Sequence, residues 1–213
     1  MTEEDIFLHE RLFGDISMHA QKTVTICGAG AIGSYLSLLL TSQGFLNLRV
    51  IDKDRVEERN IGTQLFTRQD LRGYKADALR KYHYKKCKAR IEPYTVELTY
   101  ENATSLLKSS DLVIDVFDNS KSRRIVKEAC EELNIPCIHA GMSASADGYS
   151  EVCWNEKYNV PDDSGFGLCN YPLALNLVWM TVTLIAEATI CFFHKAENKS
   201  YCFSLGDFKV RET

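Results

Sequence analysis

The stretch that most constrains this chain runs over residues 23–52. A short β-rich run at 23–27 feeds a glycine turn, Gly28-Ala29-Gly30-Ala31-Ile32-Gly33. Apolar residues at helical spacing follow over 31–43, and a second β-rich run lies at 48–52. A strand that passes through glycines into a helix and returns to a strand is a βαβ unit. Gly28 and Gly30 allow a tight turn and close approach of backbone to a ligand, and Gly33 allows close helix packing. Ala31 opens the helix, whose unpaired N–H groups offer a seat for anionic phosphate. Asp52 ends the second strand about 20 residues on, where a carboxylate can accept hydrogen bonds from ribose hydroxyls. Turn and acid together indicate a nucleotide. The turn alone does not say which kind, because any mononucleotide or dinucleotide can lay phosphates there.

The alternation continues along the chain. Helical patterns over 75–86, 102–107 and 120–133 interleave with strand-like runs at 89–96, 112–117, 136–139 and 148–154. That order predicts an α/β, Rossmann-like fold with a mostly parallel sheet and helices on both faces. With 213 residues, 45% of them hydrophobic, a single domain over 1–213 is expected, since that length suits one well-buried core. Residues 155–168 break the rhythm with Pro161, Asp162, Asp163, Ser164, Gly165 and Gly167. They read as a crossover loop, either a plain surface connection or a lid and path for a polypeptide tail. Residues 173–193 are apolar for a length that could span a bilayer. Asn176 and Glu187 would be costly in lipid, so a buried core or subunit-interface helix is expected, and no membrane partner.

Charge and cysteine content narrow the partner classes. The net charge is -4, and the one local cationic run, Arg80, Lys81, Lys85, Lys86, Lys88 and Arg90, reads as the solvated face and end of a helix. A nucleic-acid partner is therefore not expected. Eight cysteines, several inside apolar runs, in a chain without a secretory signal point to a reducing, cytoplasmic location. None shows Cys-x-x-Cys spacing, so no structural zinc is expected and any metal should arrive with the nucleotide.

A second set of residues carries the chemistry: Asp52-Lys53-Asp54 running on to Asn60, then Lys75, then Asp115-Val116-Phe117-Asp118-Asn119. A nicotinamide enzyme would need a substrate region and an acid–base group, and the five histidines sit in no recognisable catalytic context. An adenylating enzyme must instead hold a triphosphate with Mg²⁺ and stabilise charge on the α-phosphorus and the leaving pyrophosphate. Lysine, arginine, asparagine and a metal-holding aspartate suit that task.

In this order and spacing, Asp52-Lys53-Asp54 through Asn60, Lys75-Ala76-Asp77-Ala78-Leu79, and Asp115 on to Arg123 resemble the MoeB/ThiF family of ubiquitin-activating-type enzymes. The resemblance covers most of the chain. It implies ATP- and Mg²⁺-dependent adenylation of the C-terminal glycine of a small ubiquitin-like or sulfur-carrier protein, by a homodimer or pseudo-dimer. It further implies that Gly28, Gly30 and Ala31 line the phosphate turn, that Asp52 holds the ribose with Asp54 beside it, and that Asn60 and Lys75 contact phosphates. Asp118 would be the Mg²⁺ ligand, Asn119 would share its loop, and Arg123 would support that loop from the following helix. Arg11 is the candidate for reaching the partner subunit's nucleotide.

Two positions carry reservations. Where the family commonly reads Asn-x-x-Arg-Gln this chain has Asn60-Ile61-Gly62-Thr63-Gln64, so Thr63 replaces a phosphate-contacting arginine. Either Arg59 or Arg68 supplies that charge or the site is catalytically weak. Cys169, after the crossover, stands where family members that form a thioester or acyl disulfide carry their nucleophile. No separate catalytic-cysteine or ubiquitin-fold domain is recognised, so passage to a conjugating enzyme would need other chains. Two further readings stay open: a threonylcarbamoyladenosine dehydratase-like enzyme acting on tRNA, and a weak nucleotide- or tail-binding partner of a heteromeric enzyme.

Overall fold

The computed structural model describes residues 6–143, 148–163 and 174–213. A short helix α1 (Leu8–Phe13) leads to β1 (Thr23–Cys27), α2 (Ala31–Ser42), β2 (Asn47–Ile51), α3 (Lys75–Cys87) and β3 (Arg90–Tyr94). There follow α4 (Ala103–Leu107), β4 (Leu112–Asp115), α5 (Ser120–Leu133), β5 (Cys137–Ser143) and β6 (Tyr149–Trp154). The long α6 (Leu175–Lys195) and a β7 (Tyr201–Ser204) to β8 (Lys209–Glu212) hairpin end the described chain.

One sheet holds all eight strands in the order β3-β2-β1-β4-β5-β6-β7-β8. The pairings from β3 to β5 are parallel and those from β5 to β8 are antiparallel. Strand alternation sorts the side chains into two cores. Val24, Ile26, Leu48, Val50, Leu112 and Ile114 pack with residues of α2, α3 and α6. Cys27, Ile51, Val113 and Cys137 pack on the other side with Ile125, Val126 and Cys130 of α5 and Leu107 of α4.

The chain leaves β1 toward β2 and β3 on one side and returns to β4 and β5 on the other. The strand order therefore reverses between β1 and β4, and in such sheets ligands lie outside the carboxyl ends of the strands at that point. The glycine turn, Asp52 and the Asp115–Asn119 loop all follow strand ends there.

Several boundaries differ from the sequence expectation. The run at 89–96 shortens to β3, an edge strand that tolerates Pro93. The run at 112–117 stops at Asp115, because Val116 and Phe117 leave the sheet to back the glycine turn. The run at 136–139 lengthens to Ser143 by pairing with β6. The segment expected as a loop over 155–168 opens with a 3-10 turn at Asn155–Lys157, and its later part lies outside the described residues. α6 is long and apolar enough to cross a bilayer, yet its Leu177, Val178, Val182, Ile185 and Ala188 are buried against α2 and β5 to β7. Glu187 and Asn176 lie on its exposed side.

Candidate active site

Gly28 takes φ +107°, a conformation that disfavours side chains, and a Cβ there would meet Val116 O at 3.2 Å. A Cβ on Gly33 would come within 1.9 Å of Gly28 O, so α2 can approach the turn only with glycine at that position. Gly30 is different, because a Cβ there would meet nothing within 4 Å. The free space over Gly30 lies at the N-cap of α2, which has no side-chain cap. First-turn N–H groups beside open space fit an anionic group.

Asp52 ties this turn down. Its Oδ2 accepts from Ala29 N at 2.7 Å and its Oδ1 from Asp54 N at 2.7 Å. Burial raises its pKa above the ordinary carboxylate value, while Lys75 and the two N–H donors pull it down. Asp52 thus shapes the loop, with a remaining lone pair on each oxygen for a ligand hydroxyl. Lys75 begins α3, its side chain only 9% exposed, with Nζ 3.1 Å from Asp54 Oδ2. Asp54, the exposed partner, also accepts from Lys75 N through its carbonyl at 2.9 Å.

Asn60 is buried in a capping box, its side-chain oxygen accepting from Glu57 N at 2.8 Å. The segment it begins is fastened to the first turn of α2, where Leu65 N donates to Ser34 Oγ at 3.1 Å. Thr63 lies on that segment, and its N–H donates to Asn60 O at 3.2 Å. The Gln64 Oε1 beside it is buried without a partner among the described residues. Arg59 pairs with Glu57 at 2.7 Å and is about half exposed; Arg68 is exposed on the next turn.

The third loop carries Asp118 and Asn119. Asn119 caps α5 through Oδ1, which accepts from Ser122 N at 2.9 Å, and its Nδ2 lies 3.4 Å from Asp118 Oδ1. Asp118 is exposed. Among the described residues no three acidic, histidine or cysteine side chains gather as a metal cage. Asp118 therefore fits a magnesium ion only as one carboxylate among waters and phosphate oxygens, the usual arrangement for nucleotide-borne Mg²⁺.

Arg123 turns inward rather than toward Asp118. Its guanidinium donates to Ala140 O at 2.9 Å and Tyr158 Oη at 3.0 Å, 3.7 Å from buried Asp115. It supports the Asp118 loop through the end of β4. Arg11 lies at the other end of the sheet, lining a depression with Phe7, Ile16, Ala20, Gly44 and Leu46, so it does not join its own chain's turn. Cys169 falls outside the described residues. The seven described cysteines are buried, and burial pushes the thiols of Cys27, Cys137, Cys153 and Cys191 up.

Sequence reasoning missed His139. It is buried on β5, donates through Nδ1 to Asp115 Oδ2 at 2.8 Å, and faces Asn155 Oδ1 through Nε2 at 2.6 Å. It also missed that Ser120 and Asp163 meet at the start of α5. Both sets of partners are far apart in the chain, and no local pattern marks them.

A family model described as the ThiF family matches residues 15–172. The chain belongs to the ThiF family. It is 35% identical over 118 residues to the sulfur carrier protein adenylyltransferase of Thermus thermophilus, covering 54% of this chain and 44% of that protein. It is 32% identical over 138 residues to the adenylyltransferase and sulfurtransferase MOCS3 of Culex quinquefasciatus, covering 63% of this chain and 31% of that protein. This ThiF-family chain thus spans less than half the length of these curated relatives. Among solved structures, E. coli MccB with MccA-N7isoASN superposes with a TM-score of 0.80 at 18% identity, over 100% of this chain and 72% of that one. PaaA superposes at 0.76 and 19% identity, over 93% and 65%. These two structures share the fold of this chain.

Proposed function

We propose that this chain uses ATP to adenylate the C-terminal glycine of a small ubiquitin-like or sulfur-carrier protein. The observation that carries this is the assembly at one end of the sheet. An open glycine turn is tied by Asp52, a nearly buried lysine sits at the start of α3, and an exposed aspartate lies on the loop after β4. The ThiF family match supports it, as do the adenylyltransferase relatives. MccB, the structural neighbour, has been crystallised with ATP and with MccA.

In the proposed reaction a carboxylate oxygen attacks the α-phosphorus, forming an acyl–O–P bond as the bond to the β-phosphate bridging oxygen breaks. Pyrophosphate leaves, and no proton need move. First-turn N–H groups of α2 would receive phosphate charge, Asp52 the ribose, and Lys75 the charge that grows between the α-phosphate and the leaving group. Asn60 would donate to a phosphate oxygen from the segment fastened to α2. Asp118 would hold a magnesium ion, which when bound neutralises phosphate charge. Arg59, on the same segment as Thr63, or Arg68 on the next turn would supply the charge of the missing arginine.

Arg11, at the far end of its own sheet, would contribute only across a homodimer, and we read the enzyme as acting in pairs. Transfer to Cys169, and onward to a conjugating enzyme, would be later steps of the same reading.

The test is ATP–pyrophosphate exchange dependent on a small β-grasp protein ending in Gly-Gly. Asp118→Ala and Lys75→Ala should each lower exchange by about a hundredfold or more, the scale of losing one electrostatic contact to the transition state. Exchange at the wild-type rate in both variants would sink the assignment.

A further inference from the structure

Two clusters outside the nucleotide turn fasten the start of the crossover segment to the loop that carries Asp118. In the first, Tyr158 lies flat on the buried His139 ring, with centroids 3.9 Å apart and planes 6° apart. Its hydroxyl accepts from Arg123 Nη1 at 3.0 Å. Beneath it His139 donates to Asp115, whose other oxygen accepts from Phe117 N at 3.1 Å inside the Asp118 loop. The second ring nitrogen of His139 faces Asn155, where the crossover segment begins. Asn155 is itself fixed to α5, its carbonyl accepting from Lys127 Nζ at 3.0 Å.

The second cluster lies one turn of chain away. Asp163 Oδ1 accepts from Ser120 N at 2.7 Å and lies 2.8 Å from Ser120 Oγ, a hydroxyl also shared with Pro161 O. Ser120 is the first residue of α5 and follows Asp118 and Asn119 directly. The two bonds from Ser120 hold the Asp163 carboxyl below its ordinary value, so it is ionised at neutral pH. Residues 158–163 are thus pinned at both ends across the start of α5, beside the loop assigned to the metal.

A histidine that served packing alone would need only a partner for each nitrogen. His139 instead joins three pieces: the end of β4 that launches the Asp118 loop, the first residue of the crossover, and the ring of Tyr158 within it. We propose that Tyr158 and His139 are positioning residues for the acyl donor, setting the crossover segment against the Asp115–Asn119 loop so that the incoming carboxylate tail meets the nucleotide in register. Neither residue touches the reacting atoms. The role rests on the adenylation reading and predicts which substrate feels its loss: the protein tail, not ATP.

The experiment compares wild type, Tyr158→Ala, Tyr158→Phe and Ser120→Ala as full chains, with ATP and a panel of small β-grasp proteins ending in Gly-Gly. Tyr158→Ala should raise the carrier KM about tenfold while the ATP KM changes by less than about twofold, a loss of tail placement on the scale of one stacked aromatic pair. Tyr158→Phe keeps the stacked ring and should recover much of the difference. Ser120→Ala, which loosens the other end at the surface, should move the carrier KM in the same direction. Amide hydrogen exchange over 158–163 should accelerate in Tyr158→Ala and Ser120→Ala. An unchanged carrier KM despite faster exchange would overturn the positioning role, and so would a fall of kcat and Tm with both KM values raised alike. A wild-type chain with no pyrophosphate exchange on any carrier would refute the adenylation reading, and this proposal with it.

Discussion

Acid should weaken this fold through a buried histidine that joins the nucleotide helix to its neighbour. His83 lies on α3 with no solvent exposure, its Nε2 2.9 Å from Ser37 Oγ and its Nδ1 3.0 Å from Thr41 Oγ1, both on α2. Burial holds its pKa down to about 4, and Lys86 adds repulsion. In the unfolded chain a histidine titrates near 6.5. The unfolded state therefore binds more protons between those values, and stability is lost as pH falls through that window. The full gap corresponds to about 3 kcal/mol, of which about 2 kcal/mol is lost by pH 5. For a chain of this length that is a fall in Tm of about 4–8 °C. Burial also lowers the pKa of His19, which adds a slope of the same sign, so the informative quantity is a difference between proteins. His83→Gln retains an amide donor and acceptor for the two hydroxyls but cannot titrate. Urea melts at about pH 7.5 and about pH 5 should show wild type losing about 2 kcal/mol more than the variant. Equal losses in the two proteins would refute the claim that His83 is neutral and buried in the folded state.

Three further outcomes follow from the turn and its neighbours. Gly33→Ala should cost at least about 1–3 kcal/mol by overpacking against the Gly28 carbonyl, whereas Gly30→Ala should melt like wild type and lose nucleotide affinity, as calorimetric ATP titration would show. Asp52→Asn leaves one loop N–H facing an amide donor, so a stability loss of about 1–3 kcal/mol should accompany weaker ATP binding; loss of binding at unchanged Tm would mean the carboxylate does not hold the loop. Thr63→Arg should raise the pyrophosphate exchange rate, and Arg59→Ala should lower it if Arg59 supplies the missing charge; no response in either would leave neither position facing phosphate.

Much of this architecture was readable where local chemistry and tertiary packing agree. β1 and α5 fall on the expected residues: β1 is a compact β-branched run, and α5 is capped by Asn119 at one end and by left-handed Asn134 at the other. β5 ran longer than expected because Gly141, Met142 and Ser143 carry no β pattern of their own and become a strand only by pairing with β6. β8 went unanticipated for a related reason: Lys209, Val210, Arg211 and Glu212 are all exposed, so burial leaves no alternation to detect. At the site, the glycine turn and Asp52 could be paired in advance because one βαβ unit fixes their separation. The inward turn of Arg123 could not, since its partners Ala140 and Tyr158 lie 17 and 35 residues away. His139 was invisible for the same reason, its meaning resting on Asp115 and Asn155 from other elements.

The central claim is that this chain joins a protein carboxylate to the α-phosphate of ATP. The most direct measurement uses a Gly-Gly-terminated carrier whose C-terminal carboxylate bears heavy oxygen, followed by mass analysis of the nucleotide after the acyl group is captured by an added thiol. Formation of an acyl–O–P bond predicts that one labelled oxygen leaves with AMP when the thiol attacks the carbonyl carbon, and that pyrophosphate carries none. AMP without label, or label in inorganic phosphate beside ADP, would contradict the account.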